Sequence, residues 1–333
     1  MNEQVNTAQL TPADFTTDQE VRWCPGCGDY AILKAVRTVL AEVGARRENT
    51  VFVSGIGCSS RFPYYIDTYG FHTIHGRAPA VATGMLLANP DLDVWIITGD
   101  GDGLSIGGNH LLHILRRNLN CQILLFNNET YGLTKGQYSP TSHQATRSPS
   151  SPGGSVDSPV DPAGFALGCG ARFVARGVDT QIKQLTEVLK AAYHHKGASF
   201  VEIYQNCIVF NEDVFEDFTA KSNIADHQIQ LESGAPLLFG KDKSRGIAFD
   251  PSSLGLKTVD ASSGEADILM HDPANYNLAS ALARFANPDN PVATGVLYDN
   301  PAPVYTGHPV STGKRSLEDV LRGGFSWQVG KNE

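Results

Sequence analysis

This chain of 333 residues has no apolar run long enough to cross a bilayer and no run of Lys or Arg that would make a phosphate-binding stripe. The first absence argues against a membrane protein. The second, with 35 acidic against 26 basic residues and a net charge of −9, argues against a nucleic-acid partner. Residues 1–20 are polar and slightly acidic, without the apolar core or basic leader of an export signal, so a cytoplasmic protein is expected. Cysteine is scarce: in a reducing compartment six thiols read as metal ligands or core residues rather than disulfides. No internal repeat stands out.

Between residues 30 and 205 helix and strand patterns alternate, which is the signature of a mostly parallel sheet flanked by helices, an α/β fold. Helices are expected at 30–43, 77–88, 110–117 and 180–195, and strands at 50–54, 94–98, 122–126, 172–175 and 200–204. The stretch 139–162 is dense in Ser, Pro, Thr and Gly and reads as a long surface loop. From about residue 211 the alternation fades. Three parts are therefore expected: a polar arm over 1–20, the functional domain over 21–212, and an irregular C-terminal extension over 213–333 that wraps the core or a partner subunit.

Two constellations carry chemistry. Gly99-Asp100-Gly101 follows a predicted strand and is answered by Asn127-Asn128 after the next one, with 25 residues between Gly101 and Asn127, enough for a helix and a strand. A glycine turn lets backbone N–H groups approach a diphosphate, and the carboxylate of Asp100 with the amide oxygen of Asn128 suits magnesium. The second is Trp23-Cys24-Pro25-Gly26-Cys27-Gly28, a knuckle that aims two thiolates at one metal centre. Cys58 and Cys207, each after a predicted strand, are the other candidate ligands, whereas Cys121 and Cys169 read as core thiols. Zinc sites use the same knuckle, but the second tight Cys or His pair that usually completes one is missing; the spacing suits an iron-sulfur cluster better and leaves both metals open.

Several blocks in one order make the chain resemble the β subunits of the 2-oxoacid:ferredoxin oxidoreductases, the 2-oxoglutarate type in particular. They are the Trp23–Gly28 knuckle, Ser54-Gly55-Ile56-Gly57-Cys58-Ser59, Thr73-Ile74-His75-Gly76-Arg77-Ala78, Gly99-Asp100-Gly101-Asp102 and Tyr131-Gly132-Leu133-Thr134-Lys135-Gly136-Gln137. The resemblance spans about residues 23–211. It implies a thiamine-diphosphate-binding fold, with the cofactor against Ile56, Gly57, Cys58, Ser59, His75, Gly101, Asp102, Gly132 and Leu133. Magnesium would lie on Asp100, Asn128 and the Thr130 carbonyl, and a four-iron four-sulfur cluster on Cys24, Cys27, Cys58 and Cys207. The implied reaction is the reversible, coenzyme A-dependent oxidative decarboxylation of 2-oxoglutarate to succinyl-CoA, with electrons passing singly to ferredoxin. An α subunit would supply the glutamate that activates the cofactor, giving an αβ heterodimer or (αβ)2 assembly. Arg61 corresponds to a basic position that grips the distal carboxylate of the substrate, and His75 and Leu133 to positions facing the reaction centre. The rival readings are the same chemistry on pyruvate or another 2-oxoacid, and a zinc-stabilised binding module without catalysis.

Overall fold

The computed structural model describes residues 10–262, 264, 267–285, 290–307 and 323; the first nine residues of the polar arm and most of the end of the C-terminal extension lie outside these. The fold is built on a sheet of eight strands with helices on both faces. Its first strands are β1 (Thr50–Ser54), β2 (Tyr69–His72), β3 (Asp93–Gly99) and β4 (Cys121–Asn127). After the short ribbon β5 (Thr130–Tyr131) and β6 (Gln137–Tyr138) come β7 (Phe173–Val178) and β8 (Ala198–Tyr204). The C-terminal part adds β9 (Gln228–Gln230), then a separate antiparallel sheet of β10 (Leu238–Phe239), β11 (Arg245–Asp250) and β12 (Gly255–Asp260), and finally β13 (Val292–Asp299). The order in the main sheet is β2-β1-β3-β4-β8-β7-β13-β9. All neighbours are parallel except β13 against β7.

Burial on both faces explains why these strands read as continuous apolar runs rather than alternating ones. Along β3, Val94 and Ile96 enter one core and Trp95 and Ile97 the other; along β4, Ile123 and Leu125 oppose Leu124 and Phe126 in the same way. One face is covered by α1 (Asp29–Glu42), whose Ile32, Leu33, Val36, Val39 and Leu40 form a buried stripe. On the other face lie α2 (Ala78–Ala88), α3 (Gly108–Arg117) and α4 (Pro162–Gly168). Helix α5 (Ile182–His194) joins α1. Cys121 is buried in one core and Cys169 packs half-buried against it, as expected of core thiols.

Two features were not legible. Strand β2 has all four residues exposed, so it carries no buried pattern; its backbone register to β1 and the contact of His72 with Tyr64 hold it. Helix α4 falls at the end of the stretch read as a loop and is started by Pro162 in its first turn, where a proline costs no hydrogen bond. Among the described residues no helix is long and apolar enough to cross a membrane.

Candidate active site

Strands β1, β3, β4 and β8 are neighbours and parallel, so the turns that follow them gather at one edge of the sheet, where ligands of such folds bind. These turns carry Gly55 to Cys58, Asp100 to Asp102, Asn128 to Thr130, and Gln205 to Cys207. A cleft lies there, and its walls include Ile56, Gly57, Cys58, Ser59, His75, Asp100, Gly101, Asp102, Asn128, Thr130, Gly132 and Leu133. The structure thus brings together every residue expected to touch the cofactor and all three expected magnesium ligands. It adds Phe126, which no motif contained, and Gly99, Tyr131 and Thr134, which lie in the quoted blocks but had been given no contact with the cofactor.

Asp100 is 2 % exposed and accepts hydrogen bonds on Oδ2 from Ser139 Oγ at 2.6 Å and Thr141 Oγ1 at 2.7 Å. Burial pushes its carboxyl pKa up, opposed by those two hydroxyls. Ser139, Thr141 and Ser142 belong to the segment expected as a surface loop, yet they are buried and buttress the Asp100 turn. The composition of 139–162 was correctly read as lacking regular structure over most of its length; its first residues are polar because they bond inward. Asn127 is also turned inward, donating to Glu202 Oε1 at 2.8 Å and accepting from Thr141, while Asn128 borders the cleft.

Asp102 has a different task from its neighbour. Its Oδ1 accepts from the backbone N–H of Ile56 at 3.0 Å and of Gly76 at 2.8 Å and lies 2.7 Å from His75 Nδ1, while Oδ2 accepts from Thr98 Oγ1 at 2.7 Å. One buried carboxylate thereby ties the turns after β1 and β2 to the end of β3. Gly55 is needed for this close approach, because a Cβ there would lie 1.9 Å from Asp102 Oδ2. His75 lines the cleft with its Nδ1 close to the Asp102 carboxylate, without the geometry of a hydrogen bond.

The four expected cluster cysteines also converge. Trp23 Nε1 donates to the Cys58 carbonyl at 2.7 Å, and Gly28 N–H to the Asn206 carbonyl at 3.2 Å, which pins the knuckle against the turns after β1 and β8. An aromatic stack of Trp95, Phe52 and Phe62, with centroids 5.7 and 5.4 Å apart, packs beneath the turn of Ser59–Tyr64. A Cβ on Gly132 would lie 3.5 Å from Cys207 Sγ and 3.8 Å from Cys58 Sγ, at van der Waals contact, so Gly132 sits beside both sulfurs. Burial, the nearby Asp29 carboxylate and the other sulfurs push the Cys58 thiol up to about 12, and Cys27 rises for similar reasons. Among the described residues no three His, Cys, Asp or Glu side chains are arranged to hold a single metal ion.

Arg61 stands apart from the expected set: it does not line the cleft. Its Nε donates to Tyr65 Oη at 2.8 Å and its guanidinium sits 5.8 Å from the rings of Tyr64 and Tyr65, close enough to Cys58 to draw that thiol's pKa down. Leu133, by contrast, lines the cleft and is 53 % exposed.

The class is set first by the sheet edge and its glycine turn: residues 55–203 match the family model for the C-terminal TPP-binding domain of thiamine pyrophosphate enzymes. The chain is 49% identical over 332 residues to the 2-oxoglutarate oxidoreductase subunit KorB of Mycobacterium tuberculosis, covering 95% of this chain and 88% of that one. It is 39% identical to the 2-oxoglutarate synthase subunit KorB of Archaeoglobus fulgidus over 62% of this chain and 80% of the relative. A solved structure of 2-oxoglutarate:ferredoxin oxidoreductase from Magnetococcus marinus, with 2-oxoglutarate, coenzyme A and succinyl-CoA bound, superposes with a TM-score of 0.73 at 35% identity, covering 91% of this chain and 89% of that one. The chain belongs to the β subunits of the 2-oxoacid:ferredoxin oxidoreductases, within the 2-oxoglutarate group.

Proposed function

We propose that this chain is the β subunit of an enzyme that converts 2-oxoglutarate and coenzyme A to succinyl-CoA and carbon dioxide, releasing two electrons one at a time to ferredoxin, and that runs in either direction. The observation that carries the reading is the placement of Cys58: it borders the cleft that holds Asp100 and Asn128, and it belongs to the cysteine group as well. When bound, thiamine diphosphate supplies the nucleophilic carbon and electron sink for decarboxylation, and a four-iron four-sulfur cluster supplies a one-electron acceptor.

Asp100, Asn128 and the carbonyl of Thr130 would hold magnesium, with Ser139 and Thr141 orienting the Asp100 carboxylate. Ile56, Gly57, Ser59, Gly101 and Gly132 leave room for the cofactor's backbone contacts, and Asp102 keeps the Ile56 and Gly76 turns in place. His75, which lines the cleft beside Asp102, would hydrogen-bond the cofactor or the substrate carboxylate. Cys24, Cys27, Cys58 and Cys207 would ligate the cluster. Arg61, beside the Cys58 turn, would meet the distal carboxylate of 2-oxoglutarate where the α subunit closes the site, and Leu133 would pack against the substrate. That subunit brings the activating glutamate, in an αβ or (αβ)2 assembly in the cytoplasm. Anaerobic metal and acid-labile sulfide analysis of the αβ complex tests the redox part: about four iron and four sulfide per β chain are expected, and zinc without sulfide would overturn it.

A further inference from the structure

Gln205 is 1 % exposed and follows β8, its backbone N–H continuing the ladder onto the Asn127 carbonyl at 2.9 Å. Its amide reaches both constellations of the site. Oε1 accepts from Asn128 Nδ2 at 2.7 Å, and Nε2 donates to Cys27 Sγ at 3.3 Å and to the Asn206 carbonyl at 2.5 Å. The orientation of the amide is fixed by its surroundings: flipping it would put its oxygen against a sulfur and a carbonyl, both acceptors, and its NH2 against the Asn128 NH2. The same bond fixes Asn128, whose Nδ2 is spent on Gln205, so that its Oδ1 is the atom left to act as a ligand; that oxygen accepts only a long bond of 3.2 Å from Thr130 N–H. Other donors near Cys27 are few. Besides Gln205 the thiol is reached by the Asp29 backbone N–H, and it lies against the buried Asp29 carboxyl.

We propose that Gln205 is a positioning residue that joins the two halves of the site: it presents the Asn128 oxygen to the magnesium diphosphate and, by its N–H···S bond to Cys27, stabilises the reduced form of the cluster. The inference rests on the cluster and magnesium assignments above. A hydrogen bond to a ligating sulfur favours the more negative, reduced cluster and so raises its potential. Neither the motifs nor the cysteine spacing pointed to this residue, because its part is played by a neutral amide two positions before Cys207.

The test is an EPR-monitored redox titration of the anaerobically purified αβ complex, wild type against Gln205→Leu, with iron content measured on the same samples. At a fixed poise the reduced-to-oxidised ratio of the cluster falls about tenfold in the variant, which for a one-electron couple is about 59 mV. The magnesium concentration that half-saturates thiamine diphosphate binding rises about tenfold alongside it. Gln205→Glu, nearly isosteric, keeps the acceptor for Asn128 but places an anion beside Cys27, and lowers the potential with little change in the magnesium requirement. If Gln205→Leu does not assemble, this second variant decides the matter. A wild-type potential in whichever cluster-loaded variant assembles would overturn the proposal alone, whereas a wild-type complex without iron and sulfide would overturn the cluster assignment and the proposal with it.

Discussion

Asp102 holds the cleft together, and removing its carboxylate exposes how much of the site's shape depends on one group. In Asp102→Ala the backbone N–H groups of Ile56 and Gly76 lose their acceptor, His75 loses its carboxylate neighbour, and Thr98 Oγ1 is left to its weaker 3.3 Å contact with the Gly99 carbonyl. An unsatisfied buried donor costs about 1–3 kcal/mol. The Gly76 N–H is fully buried and the Ile56 N–H partly so, and together with the loss of the His75 contact the substitution should cost about 4 kcal/mol. Asp102→Asn keeps one oxygen for the two backbone donors, and the Thr98 hydroxyl can rotate to accept from the new NH2; about 1 kcal/mol is expected. Thermal or denaturant unfolding of the αβ complex reads the stability loss, and calorimetric titration with thiamine diphosphate at fixed magnesium reads the site. Alanine should weaken cofactor binding by at least about tenfold, because the competent turn becomes a minority conformer. An alanine variant within about 0.5 kcal/mol of wild type and with unchanged affinity would refute the reasoning.

Further outcomes follow from the same geometry. Arg61→Ala should raise KM for 2-oxoglutarate about 10- to 100-fold, the worth of a charge-assisted pair, and leave pyruvate kinetics unaltered; steady-state assays with both acids check it. Cys207→Ala should abolish cluster assembly, whereas Cys121→Ala should retain full iron and lose stability on the order of 1 kcal/mol, since Cys121 only fills the core. In Gly132→Ala a methyl enters the space beside Cys58 and Cys207, so cluster content should fall while the far-ultraviolet dichroism stays that of the wild type. Burial pushes Asp93 up to about 6 at the start of β3, so the folded chain holds that proton more tightly than the unfolded one. Its contribution therefore favours folding at low pH and is lost as pH rises from about 4 to about 6; Asp93→Asn should flatten the stability profile across that window, as denaturant titrations at several pH values would reveal.

Strand positions were legible because burial on both faces leaves long apolar runs: β1 falls on residues 50–54 as read, and β3, β4 and β8 extend the expected strands by one or two residues at the ends. The turns at Gly99 to Gly101 and Cys24 to Cys27 were legible because each needs special residues. What escaped has a common physical cause. Ser139 and Thr141 look like surface polar residues but bond to a buried carboxylate; Asp102, expected at the cofactor, has an additional part in bracing the cleft; Gln205 carries no charge and no motif. Direction of a side chain decides each of these, and local composition does not encode it. Likewise β13 joins β7 across more than a hundred residues, a pairing set by tertiary packing rather than by any local pattern.

The central claim is that the cleft and the cysteine group serve one redox decarboxylation. Its most direct test is the coenzyme A-dependent reduction of a viologen dye by the anaerobic αβ complex, with 2-oxoglutarate and pyruvate side by side. Fast reduction with a strong preference for 2-oxoglutarate is the predicted result; a complex loaded with thiamine diphosphate and cluster that reduces the dye with no 2-oxoacid would contradict it.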